Sequence, residues 1–273
     1  MRSTDQHIAI ARFLTDQYQR LPQVEAVGVS GSLVSGLGSE TSDIDLYIFV
    51  SAPIPVEERQ RIASLRGYTQ GDFGLDYWDP GDEWFDAPTG IEVDEMFWDI
   101  AWLTEQVSKV LDRHEASTGY TTCHWHTVRQ MSILFDRNER LTALKAKAQA
   151  DYPEELRRNI LQKNYPLLHR IIPAYTNQLR KAVHRKDLVS VNHRFTEYLA
   201  SYFDLLFALN RIPHPGEKRL LSFAVNHCSL LPDGFEADLT TLLAYNGAAD
   251  EQWLQTLEHF NQALDALLAV HGF

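Results

Sequence analysis

Apolar residues recur at helical spacing from Asp5 to Tyr18 (Ile8, Ile10, Phe13, Leu14, Tyr18) and Pro22 closes the segment, so the chain opens on an amphipathic helix. Val24 to Ser30 is short and β-branched, Gly31 to Thr41 is rich in Gly and Ser, and Asp43 to Val50 alternates before Pro53 and Pro55. That pattern predicts strand, glycine-containing turn, strand. Glu57 to Leu65 suits a helix. The Gly, Asp, Pro and aromatic residues from Gly67 to Gly90 predict a strand followed by a long loop, and Ile91 to Trp98 reads as a further strand. Asp99 is placed to cap a helix running to about His114, and a helix over roughly Thr121 to Met131 leads into the short apolar run Ser132 to Phe135.

Beyond Leu141 the β-branched alternation stops. Amphipathic runs follow one another, broken by Pro153, Pro166, Pro173, Pro213, Pro215 and Pro232. The reading is an α/β (α+β) architecture: a small mixed sheet flanked by helices over residues 1–150, then an all-helical bundle over 151–273. A length of 273 residues with 44% hydrophobic content fits two modest cores.

Composition narrows the classes of function. No stretch approaches the roughly 18 apolar residues of a membrane span, and the N-terminal residues lack a long apolar leader core; a cytoplasmic protein is expected. Cys123 and Cys228 are too few and too far apart for a disulfide scaffold or a four-ligand zinc site. The net charge of −12 argues against a nucleic-acid partner, which needs a basic face to displace phosphate counterions, and tolerates a cationic one. The acidity is local, because no Lys or Arg occurs between Arg66 and Lys109.

The segment richest in chemistry is VGVSGSLVSGLGSETSDIDLYIF, Val27 to Phe49. Asp43 and Asp45 stand at i and i+2 on a strand, so both carboxylates project to one side while Ile44 and Leu46 pack on the other. Like charges so placed repel unless a cation lies between them, and an oxygen-rich pair suits Mg²⁺. Gly31 lets the backbone approach a phosphate, and Ser32 adds a hydroxyl donor.

Gly31, Ser32, Asp43 and Asp45 resemble, in order and spacing, the signature of the nucleotidyltransferase superfamily that includes DNA polymerase beta and the antibiotic-modifying nucleotidyltransferases. That signature is Gly-Ser, about ten residues, then Asp-x-Asp between hydrophobic residues. Ser42 fits the small polar residue that commonly precedes the first aspartate. The resemblance implies transfer of a nucleoside monophosphate from an NTP, ATP above all, to a hydroxyl, with Asp43 and Asp45 holding Mg²⁺ on the triphosphate. It also implies a third carboxylate from a neighbouring strand, for a second ion or for the acceptor proton. GIEVDEMFW offers Asp94 and Glu92 on one face; Asp94, after Val93, is preferred, and Glu92 satisfies the same rule. Glu95 falls on the other face with Val93 and Phe97.

In the helical half, FALNRIPHPGEKRLLSFA (Phe207 to Ala224) ends one helix at the prolines and is expected to begin another at Gly216. It resembles the segment that nucleotide-modifying members present to the triphosphate, which would make Asn210 and Lys218 nucleotide contacts, with Arg219 a weaker candidate. The layout is similar to the aminoglycoside and lincosamide nucleotidyltransferases, which implies a small, antibiotic-like hydroxyl acceptor and a role in resistance. Phe73 to Gly90 supplies Tyr77, Trp78 and Trp84 to stack on an acceptor and Asp79, Asp82, Glu83 and Asp86 to pair with its ammonium groups. The competing readings are nucleotidylation of a protein or RNA, and a catalytically silent nucleotide-binding regulator. Zinc at Cys123, His124 and His126 is rejected for want of a fourth ligand, and no nucleophile-elbow glycine pattern supports a Ser-His-Asp triad.

Overall fold

The computed structural model describes residues 3–31, 43–77, 79–245 and 249–273. They form two compact units, one within Met1–Ser108 and His124–Ala150, the other within Lys109–Cys123 and Asp151–Phe273.

The first unit is a mixed sheet of six strands among the described residues, in the order β3-β4-β5-β2-β1-β6. These are β1 (Val24–Val29), β2 (Ile44–Val50), β3 (Tyr68–Leu75), β4 (Gly81–Asp86), β5 (Glu92–Trp98) and β6 (Ser132–Asp136). β2 and β5 pair in parallel; the other neighbours pair antiparallel. Its helices are α1 (Ser3–Tyr18), α2 (Val56–Ser64), α5 (Arg140–Ala148), and α3 (Ile100–Leu111) and α4 (Cys123–Gln130), each of which has one end in the second unit. Asp99 does cap α3, its Oδ1 accepting from Ala101 N at 2.6 Å.

Alternation along β2 and β5 sets the two faces of the sheet. Ile44, Leu46 and Ile48 are fully buried with Val93 and Phe97, Ile10, Leu14 and Tyr18 of α1, and Ile62 of α2. Each such side chain contributes about 1.5–3 kcal/mol through removal from water. Asp45, Tyr47, Asp94 and Met96 are half-buried and take the opposite face, because side chains alternate along a strand.

The stretch Gly67 to Gly90 departs from expectation: where a long loop follows the predicted strand, the chain forms a β3–β4 hairpin that extends the sheet. Its acids explain the misreading. Asp82 and Asp86 are fully buried, Asp82 paired with Arg59 of α2 at 3.2 Å and Asp86 held by both Arg66 Nε and Nη2, at 2.7 and 2.9 Å. Inward carboxylates matched by arginines brought from another element carry no alternation of hydrophobicity, which is what strand prediction reads.

The second unit holds only helices among its described residues: α6 (Glu154–Tyr165), a π-helical turn (Pro166–Arg170), α7 (Tyr175–His184), α8 (Leu188–Leu209), α9 (Leu220–His227), α10 (Phe235–Leu243) and α11 (Glu251–Val270). The core is aromatic, with Tyr202 stacked on Phe260 at 4.4 Å and on Phe235 at 6.2 Å. Buried Asp204 of α8 anchors the incoming segment by accepting from Thr121 N at 2.9 Å, Thr121 Oγ1 at 2.6 Å and Asn164 Nδ2 at 3.2 Å. The helix expected from Gly216 begins instead at Leu220. Gly216 (φ +106°) and Arg219 (φ +58°) hold left-handed backbone, which a right-handed helix does not admit, and Lys218 lies in the exposed turn between them.

Candidate active site

β1 ends at Val29, and Ser30 N still donates to Asp45 O at 3.3 Å, so the backbone of β1 follows β2 into the turn. Gly31 comes next with φ +75°. A Cβ built on Gly31 would lie 1.9 Å from Asp45 Oδ2 and 2.9 Å from its Cγ. The carboxylate of Asp45 therefore occupies the space that any other residue at 31 would fill, and both the φ and the contact demand glycine. Ser32 and Ser42 lie outside the described residues, as does Trp78.

The parallel pairing of β2 with β5 places Asp45 directly opposite Asp94. Adjacent strands are about 4.8 Å apart, and at an effective dielectric of about 20 two carboxylate charges at that spacing repel by roughly 3 kcal/mol. The row continues outward, since Asp94 faces Glu83 of β4 and Glu83 faces Asp72 of β3. Asp43 precedes β2 by one residue and Glu92 opens β5, so both stand just ahead of the first pair, Ile44 with Val93. Register thus separates the two candidates for a third carboxylate: Asp94 is half-buried beside Asp45, and Glu92 is exposed at the strand end. Among the described residues no three His, Cys, Asp or Glu side chains converge closely enough to hold a metal by themselves. What the sheet supplies is a two-carboxylate platform, whose oxygen donors suit a hard divalent ion.

Tyr47, one step further along the same face, reports the field. Its hydroxyl is pushed well above the usual phenol range by burial first, then by the carboxylates of Asp45, Asp94, Asp79 and Asp43. Asp79 and Tyr47 are members of this neighbourhood that the motif did not pick out. Tyr47 could have been found from its i+2 relation to Asp45; the approach of Asp79 depends on the hairpin and has no local signal.

The opposite face carries a second, internal set of charges. Glu95 is fully buried and accepts from Trp84 Nε1 at 3.1 Å. Burial, with the charge of Asp82 second, lifts its carboxyl to about 8. Asp82, lifted to about 6 by burial, accepts from Gly74 N at 2.7 Å and pairs with Arg59. Glu95 thus belongs to the core, as alternation indicated. The acceptor-binding roles expected of Asp82, Asp86 and Trp84 are corrected by the same observation, because all three are fully buried with partners inside the fold.

In the second unit Asn210 caps α8, and its side chain is committed to backbone: Nδ2 donates to Leu206 O and Leu230 O, each at 2.9 Å, while Oδ1 accepts from Leu230 N at 2.8 Å. Both amide hydrogens are used. The remaining Oδ1 lone pair is an acceptor, which a phosphate oxygen cannot use, so Asn210 as placed braces the chain after α8 and offers phosphate no donor. Lys218 and Arg219 are both exposed.

The strand–glycine–strand unit presents an Asp-x-Asp pair beside a third acid on the adjacent parallel strand. Residues 10–114 match the nucleotidyltransferase domain family, so the chain carries a nucleotidyltransferase domain there. Residues 121–219 match a domain of unknown function, DUF4037. The solved structure of a nucleotidyltransferase-like protein from Exiguobacterium sibiricum 255-15 aligns with 93% of this chain and 72% of its own at 14% identity and a TM-score of 0.42, a remote likeness. No curated protein matches. No helix among the described residues is long and apolar enough to cross a membrane.

Proposed function

We propose that this protein transfers a nucleoside monophosphate, AMP from ATP, to a hydroxyl of a small, antibiotic-like acceptor and releases pyrophosphate. One observation carries the reading: Asp45 and Asp94 stand opposite each other on parallel strands, with the Asp45 carboxylate in the space that Gly31 leaves open. Mg²⁺ held by Asp43 and Asp45, with Asp94 beside them, would neutralise charge on the triphosphate and the leaving pyrophosphate. Gly31 brings the turn backbone close to the phosphates, where Ser32 and Ser42 are assigned to contact them. An acceptor hydroxyl oxygen attacks the α-phosphorus in line, the bond to the β-bridging oxygen breaks, and the acceptor proton passes to Asp94. Lys218 is assigned to the nucleotide and Glu92 to a supporting charge. Residence in the cytoplasm belongs to the same reading, supported by two cysteines that form no disulfide.

The test is Mg²⁺-dependent pyrophosphate release from each NTP, with and without aminoglycosides, lincosamides and simpler hydroxyl compounds. Acceptor-dependent release with ATP is expected. ATP binding without release under any acceptor would replace the enzyme by a nucleotide-sensing regulator.

A further inference from the structure

Beyond the Asp45–Asp94 row, the same face of the sheet becomes aromatic. Tyr47 packs edge-on against Trp98, with ring centroids 4.8 Å apart; Trp98 meets Trp102 at 5.2 Å, and Trp102 meets His124 at 5.1 Å. Where β2 and β5 end, a cleft of about 640 Å³ opens within the first unit, walled by Ile54, Phe97, Trp98 and Trp102 among others. Trp102 is 39% exposed. Trp98 is nearly buried, and its indole N–H has no hydrogen-bond partner among the described residues. A small shift of that ring against a ligand oxygen would satisfy the donor.

The exposed charge around this cleft is acidic. Asp79 and Asp99, both exposed, lie on its lining. Its one basic residue, Arg59, is nearly buried, paired with Asp82 and stacked over Phe97 at 4.6 Å. The Arg59 charge is therefore already matched inside the fold, and the sequence supplies no Lys or Arg from residue 67 to 108. Asp94 and Trp98 are four residues apart on β5, which is about 13 Å along a strand.

We propose that this cleft holds the acceptor, and that the acceptor is an amphiphilic amine: an apolar or aromatic body lies against Trp98 and Trp102, one ammonium group faces Asp79, and a hydroxyl about 10 Å away reaches Asp94. The inference rests on the nucleotidyl-transfer reading for the role of that hydroxyl, and on the cleft alone for the rest. Apolar burial against the indoles and attraction of the ammonium group to Asp79 supply the binding. The exposed carboxylate makes it salt-sensitive.

The test uses ω-aminooctanol, whose extended length matches the span, beside ethanolamine, which lacks the apolar body, and octanediol, which lacks the charge. Binding to the intact protein is measured by calorimetry without nucleotide, at low and high salt. Aminooctanol is expected to bind at least about tenfold more tightly than either control, and Trp102→Ala and Asp79→Asn should each weaken it about fivefold or more. Equal binding of the three compounds, or aminooctanol affinity unchanged in Trp102→Ala, overturns the proposal. Pyrophosphate release is scored separately with the same compounds. Tight binding without release would count against nucleotidyl transfer and leave the cleft assignment standing, whereas release that is insensitive to Trp102→Ala would place the acceptor elsewhere.

Discussion

The Asp45 carboxylate lies 1.9 Å from the point where Gly31 would carry a Cβ. One residue of the turn thus fixes the position of one proposed metal ligand, in a backbone conformation (φ +75°) that only glycine adopts without strain. Gly31→Ala must push that carboxylate aside. Since a misplacement of about 1 Å can cost about 100-fold in rate, Gly31→Ala is expected to lower turnover by at least about that factor while circular dichroism changes little and stability falls only by the roughly 1–2 kcal/mol of a Cβ in left-handed backbone. Turnover within about threefold of wild type would mean that the position of Asp45 is not critical.

The carboxylates themselves should rank by register. Asp45→Asn and Asp94→Asn, the facing pair, and Asp43→Asn, the first acid of the motif, should each reduce turnover roughly 100- to 1000-fold, the scale of losing one preorganised electrostatic contact. Glu92→Gln, at the exposed start of β5, should cost less than about tenfold. Steady-state pyrophosphate release at saturating ATP distinguishes them, and the reverse order for Asp94 and Glu92 would transfer the third-carboxylate role.

Much of this site was legible locally. The strand–glycine–strand pattern and the alternation in Ile44 to Val50 correctly placed Asp45 opposite the core face, and the same rule excluded Glu95. Pairing between strands was not legible. The facing of Asp94 with Asp45, of Glu83 with Asp94, and the burial of Asp82 and Asp86 all follow from register and from arginines on or beside α2, none of which leaves a periodic trace nearby in sequence. The start of α9 was missed for a related reason. Gly216 and Arg219 both take left-handed backbone, and a Glu-Lys-Arg run gives no hint of that.

Glu95 makes stability depend on pH with a defined sign. Its folded carboxyl, at about 8, lies above the ordinary value of 4.5. The folded state therefore binds the proton more tightly, and the stabilisation is complete below about 4.5 and lost as pH rises to 8. Asp82, at about 6, acts in the same direction. Glu95→Gln keeps an oxygen for Trp84 Nε1 without the charge. It should melt near wild type at pH 5 and several degrees higher at pH 8, so the difference between the two proteins, followed by calorimetry, should grow across that window. A constant difference would show that Glu95 titrates no differently on folding.

Asp204 offers a test of the second unit. Three donors converge on it, two of them from Thr121. Asp204→Ala leaves the half-buried Thr121 N without its acceptor, while Asn164 Nδ2 keeps Ser117 O and Ile160 O, which should destabilise this unit by about 1–2 kcal/mol. The amides of Gly119 and Thr121 should lose hydrogen-exchange protection first, because Gly119 N donates to Asn164, itself a partner of Asp204. Protection that falls equally across α8 and α11 would indicate general loosening in place of a released segment.

Asn210 and Lys218, the two nucleotide contacts expected from the sequence of the helical half, should separate by what they disturb. Asn210 spends both amide hydrogens on Leu206 and Leu230 and takes a third bond from Leu230 N. Removing that side chain leaves buried or half-buried backbone groups without partners, so Asn210→Ala should lower stability by about 2 kcal/mol. The folded fraction should bind ATP as before, because the one acceptor lone pair left over attracts no phosphate. Lys218 lies in an exposed turn whose backbone is set by Gly216 and Arg219, so its truncation should leave the melting temperature within about a degree. If it contacts the triphosphate, Lys218→Ala should weaken ATP about tenfold, or about 1.4 kcal/mol, and leave acceptor affinity alone. ATP titrations well below each variant's melting temperature read both effects. An ATP affinity lost in Asn210→Ala and kept in Lys218→Ala would invert the assignment and require the Leu230 brace to open when nucleotide binds.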